Sequence, residues 1–192
     1  MATRRVDPER RQRIILAALE LIAEEGVAGT THRKVAARAD VPLGSMTYHF
    51  ESMDELLREA FTLFADRVAS RFEERLAAAV DLAQATEAVV EIIHNDVIRS
   101  EQEFVLPLEL YALAARVPYF RSITQGWMAR SRAALELHFS PEVAIELDAL
   151  IEGLTIHRAF DADPSPRSTT VEAVGRIVGL ADVGDSEYRS AL

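Results

Sequence analysis

Apolar residues recur three, four and seven positions apart along most of this chain, the spacing of one face of an α-helix. Ile14, Ile15, Ala18, Leu19 and Ile22 make the first such stripe. Asp7-Pro8-Glu9 ahead of it reads as a helix start, with Asp as N-cap and Pro at the first helical position. Gly26 supplies the stop. After the loop Gly29-Thr30-Thr31, Thr31 caps a second helix from His32 to Ala39, with Val35, Ala36 and Ala39 on its apolar face. Asp40-Val41-Pro42 breaks the pattern, and a third helix runs from Leu43 to His49. It is too short and too polar for a core helix. Met46 and Phe50 anchor it, which leaves Leu43, Ser45, Thr47, Tyr48 and His49 pointing outward or sideways. Such a pair of short helices suits a DNA major groove; an ordinary helical corner is the other reading of this stretch alone.

Ser52 and Glu55 form a capping box that opens a long helix through Leu56, Leu57, Ala60, Phe61, Phe64, Val68 and Phe72, to about Ala78. Thr86 is expected to cap a segment with Val89, Val90, Ile93, Val97 and Ile98 on its apolar side. A helix from Glu103 to Ala115 carries Phe104, Leu108, Tyr111 and Ala112, with Pro107 kinking it or falling in its first turn. Pro118 opens a run with Tyr119, Ile123, Trp127, Met128, Leu135 and Phe139. Ser140-Pro141-Glu142 starts the next helix, and Ser168 or Thr169 caps the last, through Val174, Ile177, Val178 and Leu180. No stretch alternates as a β-strand would. The expectation is an all-α chain of about nine to ten helices. It comprises a helix-turn-helix domain over residues 1–51 and a helical body over 52–192.

The helix from Pro141 to Phe160 bears on assembly. Val143, Leu147, Leu150, Ile151 and Leu154 make one apolar face, and Ile145, Ala149, Gly153, Ile156 and Phe160 a second. Two apolar faces require burial on two sides, either deep in one body or against a second copy. Gly153 would let a neighbouring helix approach closely, and a two-fold dimer is the preferred reading.

Net charge is −10, which by itself argues against a nucleic-acid partner. Its distribution alters that. Residues 1–50 carry eight Lys/Arg against six Asp/Glu, while residues 51–192 carry thirteen against twenty-five. A mildly basic head on an acidic body fits an anion-binding end, and Arg4, Arg5, Arg10, Arg11 and Arg13 could reach phosphate. With no cysteine there is no disulfide framework, and no apolar run approaches a membrane span. The N-terminus lacks the apolar core of a signal peptide, so the expected location is cytoplasmic.

The spaced set Gly26, Thr31, Arg33-Lys34-Val35-Ala36, Ala39, Val41, Gly44, His49-Phe50 and Leu56 resembles the tetracycline repressor (TetR) family of bacterial regulators. The resemblance implies a homodimer on a palindromic double-stranded DNA operator, with residues 31–50 reading each half-site. Carried over by position, it implies that Thr31 and Arg33 contact backbone phosphate. Leu43, Gly44, Ser45, Thr47, Tyr48 and His49 would face DNA, with Ser45 and Tyr48 at base edges and Thr47 and His49 on phosphate. Val35, Ala36, Val41, Met46 and Phe50 would be the mini-core. Four positions depart from the family's usual residues: Asp40 for Gly, Pro42 for Ser, Thr47 for Tyr and Met53 for Lys. Asp tolerates the left-handed backbone that turn needs. The other three remove phosphate contacts, the main source of non-specific affinity.

No catalytic constellation, metal-ligand spacing, nucleotide-binding loop or cofactor motif is present, so an enzyme is not expected and no cofactor is assigned. The family resemblance implies instead a small-molecule effector in the body, with His94, Phe104, Leu108, Tyr111, Trp127 and His157 as candidate lining. Such an effector would act by favouring one spacing of the two heads. A helical protein-binding adaptor without DNA binding is the alternative.

Overall fold

The structure, a computed structural model, describes residues 9–96 and 101–187, with side chains from 9 to 96 and 104 to 179. Among the described residues there are helices and no strands. Nine α-helices follow in order: α1 Arg10–Gly29, α2 His32–Arg38, α3 Gly44–His49, α4 Met53–Ala77 and α5 Leu82–Glu91, then α6 Glu101–Ala114, α7 Pro118–Leu135, α8 Pro141–Phe160 and α9 Arg167–Glu187. A π-helical turn, Ile92–Asp96, extends α5. The all-α expectation holds. The Asp7-Pro8 helix start, the Arg4 and Arg5 arm, and Val97 and Ile98 lie outside the described residues.

The chain packs as two units. The first takes residues up to Ala65 together with Gln102–Thr124; the second takes Asp66–Glu101 and the chain from Gln125 onward. These packing units do not follow the chain division at residues 51 and 52, because α6 and the start of α7 pack with the N-terminal helices. Phe61 meets Phe120 edge to face at 5.9 Å, and the Arg58 guanidinium lies 4.6 Å from the centre of the Tyr119 ring.

In the first unit, Ile14, Ile22, Val35, Met46, Phe50, Leu56 and Phe61 are essentially sealed from water. At about 1.5–3 kcal/mol for each large side chain removed from water, this core fixes the short α2 and α3, which could not persist alone. α1 breaks at Gly26, whose φ of 73° and ψ of 173° suit glycine, and the Thr30 hydroxyl donates to the Gly26 carbonyl at 2.9 Å. Ser52 Oγ accepts from Glu55 N at 3.1 Å, as the capping box requires.

In the second unit, Phe72, Leu76, Val89, Val90, Ile92, Leu135, Leu147, Ile151 and Val174 form the core. Two helix starts differ from those the sequence suggests. Asp81, not Thr86, caps α5: its carboxylate accepts from Gln84 N at 2.8 Å, while Thr86 donates back to the Leu82 carbonyl inside the helix. α9 begins at Arg167, so Ser168 and Thr169 lie in its first turn. In the first unit, Pro107 lies inside α6, so of its two expected places the first turn is not the one it takes.

Candidate nucleic-acid interface

α2 ends in a complete Schellman arrangement. Val41 N donates to the Ala36 carbonyl at 3.0 Å and Asp40 N to the Ala37 carbonyl at 3.3 Å. Asp40 stands at φ 52°, the left-handed position, so Asp does there what Gly more commonly does. Pro42 follows and cannot extend the helix. Its carbonyl accepts from Ser45 N at 2.8 Å, and Leu43 O accepts from Met46 N at 3.0 Å, which winds the first turn of α3 tightly.

The turn sets α3 on two buried pegs, Met46 and Phe50. Val35 and Ala36 lie beneath it in the same unit, also buried, whereas Val41 of the expected mini-core is only half-buried. The outer face carries Leu43, 54% exposed, Gly44, Thr47 and Tyr48, 82% exposed. His49 is half-buried, its ring edge-on to Tyr48 at 4.9 Å. Ser45 differs from expectation. At 8% exposure it belongs to the buried side beside Met46. The reason is rotational: a helix of six residues is oriented by its pegs, and Ser45, ~100° from Met46, falls just inside the boundary.

Thr31 Oγ1 accepts from Lys34 N at 3.4 Å, capping α2, and its side chain remains exposed. Lys34 is held by the Glu25 carboxylate and by the Gly29 carbonyl at 3.0 Å. Arg38 bonds Glu24 through two nitrogens, at 3.0 and 2.6 Å, and reaches Glu20. Those bonds hold the Glu24 carboxyl below its ordinary range and raise the guanidinium further. Arg11 pairs with Glu59 and lies 4.9 Å from the centre of the Phe50 ring. Arg33 is exposed with no ion-pair partner among the described residues. Lys34, Arg38 and Arg11 are therefore held by acids of the same unit.

The six expected effector-lining residues do not gather in one unit. Phe104, Leu108 and Tyr111 on α6 belong to the first, the Phe104 side chain buried and the other two half-buried. His94, Trp127 and His157 belong to the second. His94 Nε2 lies 2.9 Å from Thr170 Oγ1 on α9, Trp127 is half-buried on α7, and His157 faces solvent from α8. An open depression of about 440 Å³ in the second unit is lined by Ala79 and Ala83 among other alanines and by Arg75, Glu87 and Glu91. None of the six lines it, and these three lining charges are already paired: Arg75 with Asp96, and both glutamates with Arg167.

On α8, Val143, Ala144, Leu147, Ile151 and Thr155 are buried. The second face stays at the surface of the chain. Ile145 is 53% and Phe160 69% exposed, Ala149 is exposed, Ile156 is half-buried, and a Cβ added at Gly153 would meet nothing within 4 Å.

A left-handed turn, a sealed base and a short helix whose outer face takes no part in the core define a helix-turn-helix DNA-binding regulator. Residues 14–60 match the family model of bacterial regulatory proteins of the tetR family, and residues 80–180 match the tetracyclin repressor-like C-terminal domain. The chain belongs to the TetR family of transcriptional regulators, which act on DNA and are not enzymes. It is 53% identical to a solved transcriptional regulator of Streptomyces coelicolor A3(2), covering 89% of this chain and 99% of that one with a TM-score of 0.83. It is 32% identical to the multidrug binding protein EbrR, solved with ethidium, over 90% of this chain and 99% of that one, with a TM-score of 0.76. The HTH-type transcriptional regulator BetI of Burkholderia cenocepacia is 29% identical over 164 residues, 81% of this chain and 84% of its own.

Proposed function

We propose that this regulator is a cytoplasmic homodimer that represses from a palindromic operator and leaves it when a small molecule binds the body. Residues 1–51 would hold each half-site, and residues 52–192 would dimerise and take the effector. The observation that carries this reading is the pairing of an outward α3 with an outward apolar face on α8. One needs a groove and the other needs a second copy. Thr31 and Arg33 contact phosphate, Leu43, Gly44, Thr47 and Tyr48 enter the groove, and His49 flanks it. Ile145, Ala149, Gly153, Ile156 and Phe160 meet their counterparts across the two-fold axis, Gly153 allowing the close approach. Phe104, Leu108 and Tyr111 of α6 are the proposed effector contacts. A flat organic cation is the first class to screen, because EbrR was solved with ethidium and the body of this chain is acidic.

Selection of duplexes from a random pool by the purified protein, with the mass of the resulting complex, tests this. Expected is an inverted repeat with half-sites about one helical turn or a multiple apart, and an even number of chains per site. Enrichment of a single asymmetric element, or one chain per site, would contradict the dimer. No enrichment at all would favour the adaptor.

A further inference from the structure

The outer face of α3 is unusual in what it lacks. Guanine is read by Arg or Lys, adenine by Asn or Gln, and cytosine by Asp or Glu, each through hydrogen bonds in the major groove. From Pro42 to His49 there is none of these six residue types. The Thr47 hydroxyl donates to the Gly44 carbonyl of its own helix at 3.3 Å, which leaves its oxygen as an acceptor and its methyl as the apolar group it offers. Ser45 is buried. Leu43 is more than half exposed at the start of the helix, where it contributes little to the core. Gly44 adds to the pattern: a Cβ there would meet nothing within 4 Å, and its φ is not in the left-handed range. The chain's own packing gives no reason for a glycine in a helix, where it is less favourable than alanine; a partner surface that must come close does.

We infer that this regulator reads its half-site chiefly through the C5-methyl groups of thymine, with Leu43 and the Thr47 methyl as the contacts and Gly44 as the clearance that lets them reach the groove floor. Thymine is the one base whose major-groove edge offers an apolar group, so an apolar reading face selects it. Tyr48 adds ring surface and one hydroxyl, which can either donate or accept and so discriminates weakly between bases. This inference rests on the DNA-binding reading and specifies its chemistry.

The test replaces each thymine of the selected operator in turn by deoxyuridine, which removes the methyl and leaves base pairing intact. Affinity is expected to fall on the order of threefold to tenfold at one or two positions in each half-site. With Leu43→Ala, whose fold is checked by circular dichroism, the penalty at one of these positions should vanish, since the methyl no longer has a partner. Equal affinity for every uracil-substituted operator would overturn the inference while leaving selective DNA binding intact. So would a Leu43→Ala protein that kept every uracil penalty. Failure of the unsubstituted operator to bind better than random duplex would overturn the DNA-binding reading and this inference together.

Discussion

At Gly26 the backbone adopts φ 73° and ψ 173°, a region that residues with a Cβ enter only under strain. A Cβ there would also lie 2.7 Å from Glu109 Oε1, the movable end of a side chain, so the strain is mainly of the main chain. Gly26→Ala is expected to lower stability by about 1–3 kcal/mol, read as a lower urea midpoint. An unchanged midpoint would mean the break is not where α1 needs it. Asp40 at φ 52° shows how much single residues can carry in sequence: the break at Asp40-Val41-Pro42 was legible as local chemistry, and its left-handed backbone through the family resemblance, with Asp at a position usually held by Gly. Ser45 was not legible. Two pegs fix the rotation of six residues only to within the width of one side chain, and the boundary between core and surface falls across that width.

At the scale of elements, the π-helical turn Ile92–Asp96 adds a residue to the helical turn, and side chains hold it in place. Asp96, 8% exposed, takes the Arg75 guanidinium in a two-pronged bond at 2.6 and 2.8 Å, and Asn95 donates to Glu91 at 2.6 Å. Asp96→Asn keeps the shape and removes the charge, and should cost about 2 kcal/mol, seen in chemical unfolding. His94, bonded to Thr170, is pushed below its ordinary pKa of 6.5, first by burial and then by the nearby charges of Arg158 and Arg167, against a smaller opposite pull from Glu91. The unfolded chain therefore binds a proton there more readily than the folded one. The stability that neutral His94 provides is complete above pH 6.5 and is lost as pH falls through its lowered folded value. Unfolding measured between pH 7 and 5 should show that loss, and His94→Gln should flatten it. Helix positions were legible here from apolar spacing, but starts were not always so. Asp81 and Thr86 are both good cap residues, and only the burial of Ala85 and Ala88 behind them selects Asp81. The π turn left no mark on the periodicity.

At the scale of the molecule, the all-α class and the head were readable because both rest on local spacing and turn chemistry. The packing of α6 with the N-terminal helices was not, since tertiary partners such as Phe61 and Phe120 are far apart in sequence. That long-range packing also explains why residues chosen for helical spacing, among them Leu108 and His157, fell into different units. The second face of α8 was read as apolar and stays at the surface of the single chain. Ile145→Glu should therefore leave the fold of each chain intact, give monomers in sedimentation, and weaken operator binding by on the order of tenfold or more. A dimer surviving that charge would place the interface elsewhere.

The central claim is that the outward face of α3 reads DNA, and Tyr48, 82% exposed, tests it with least risk to the fold. The measurement is fluorescence anisotropy of the selected operator with wild-type and Tyr48→Ala protein, across a salt series and against random duplex. Salt-sensitive, selective binding is expected of the wild type. Affinity for the operator is expected to fall on the order of tenfold or more in Tyr48→Ala at unchanged melting temperature. Equal binding by the two proteins, or a wild type that treats operator and random duplex alike, would contradict it.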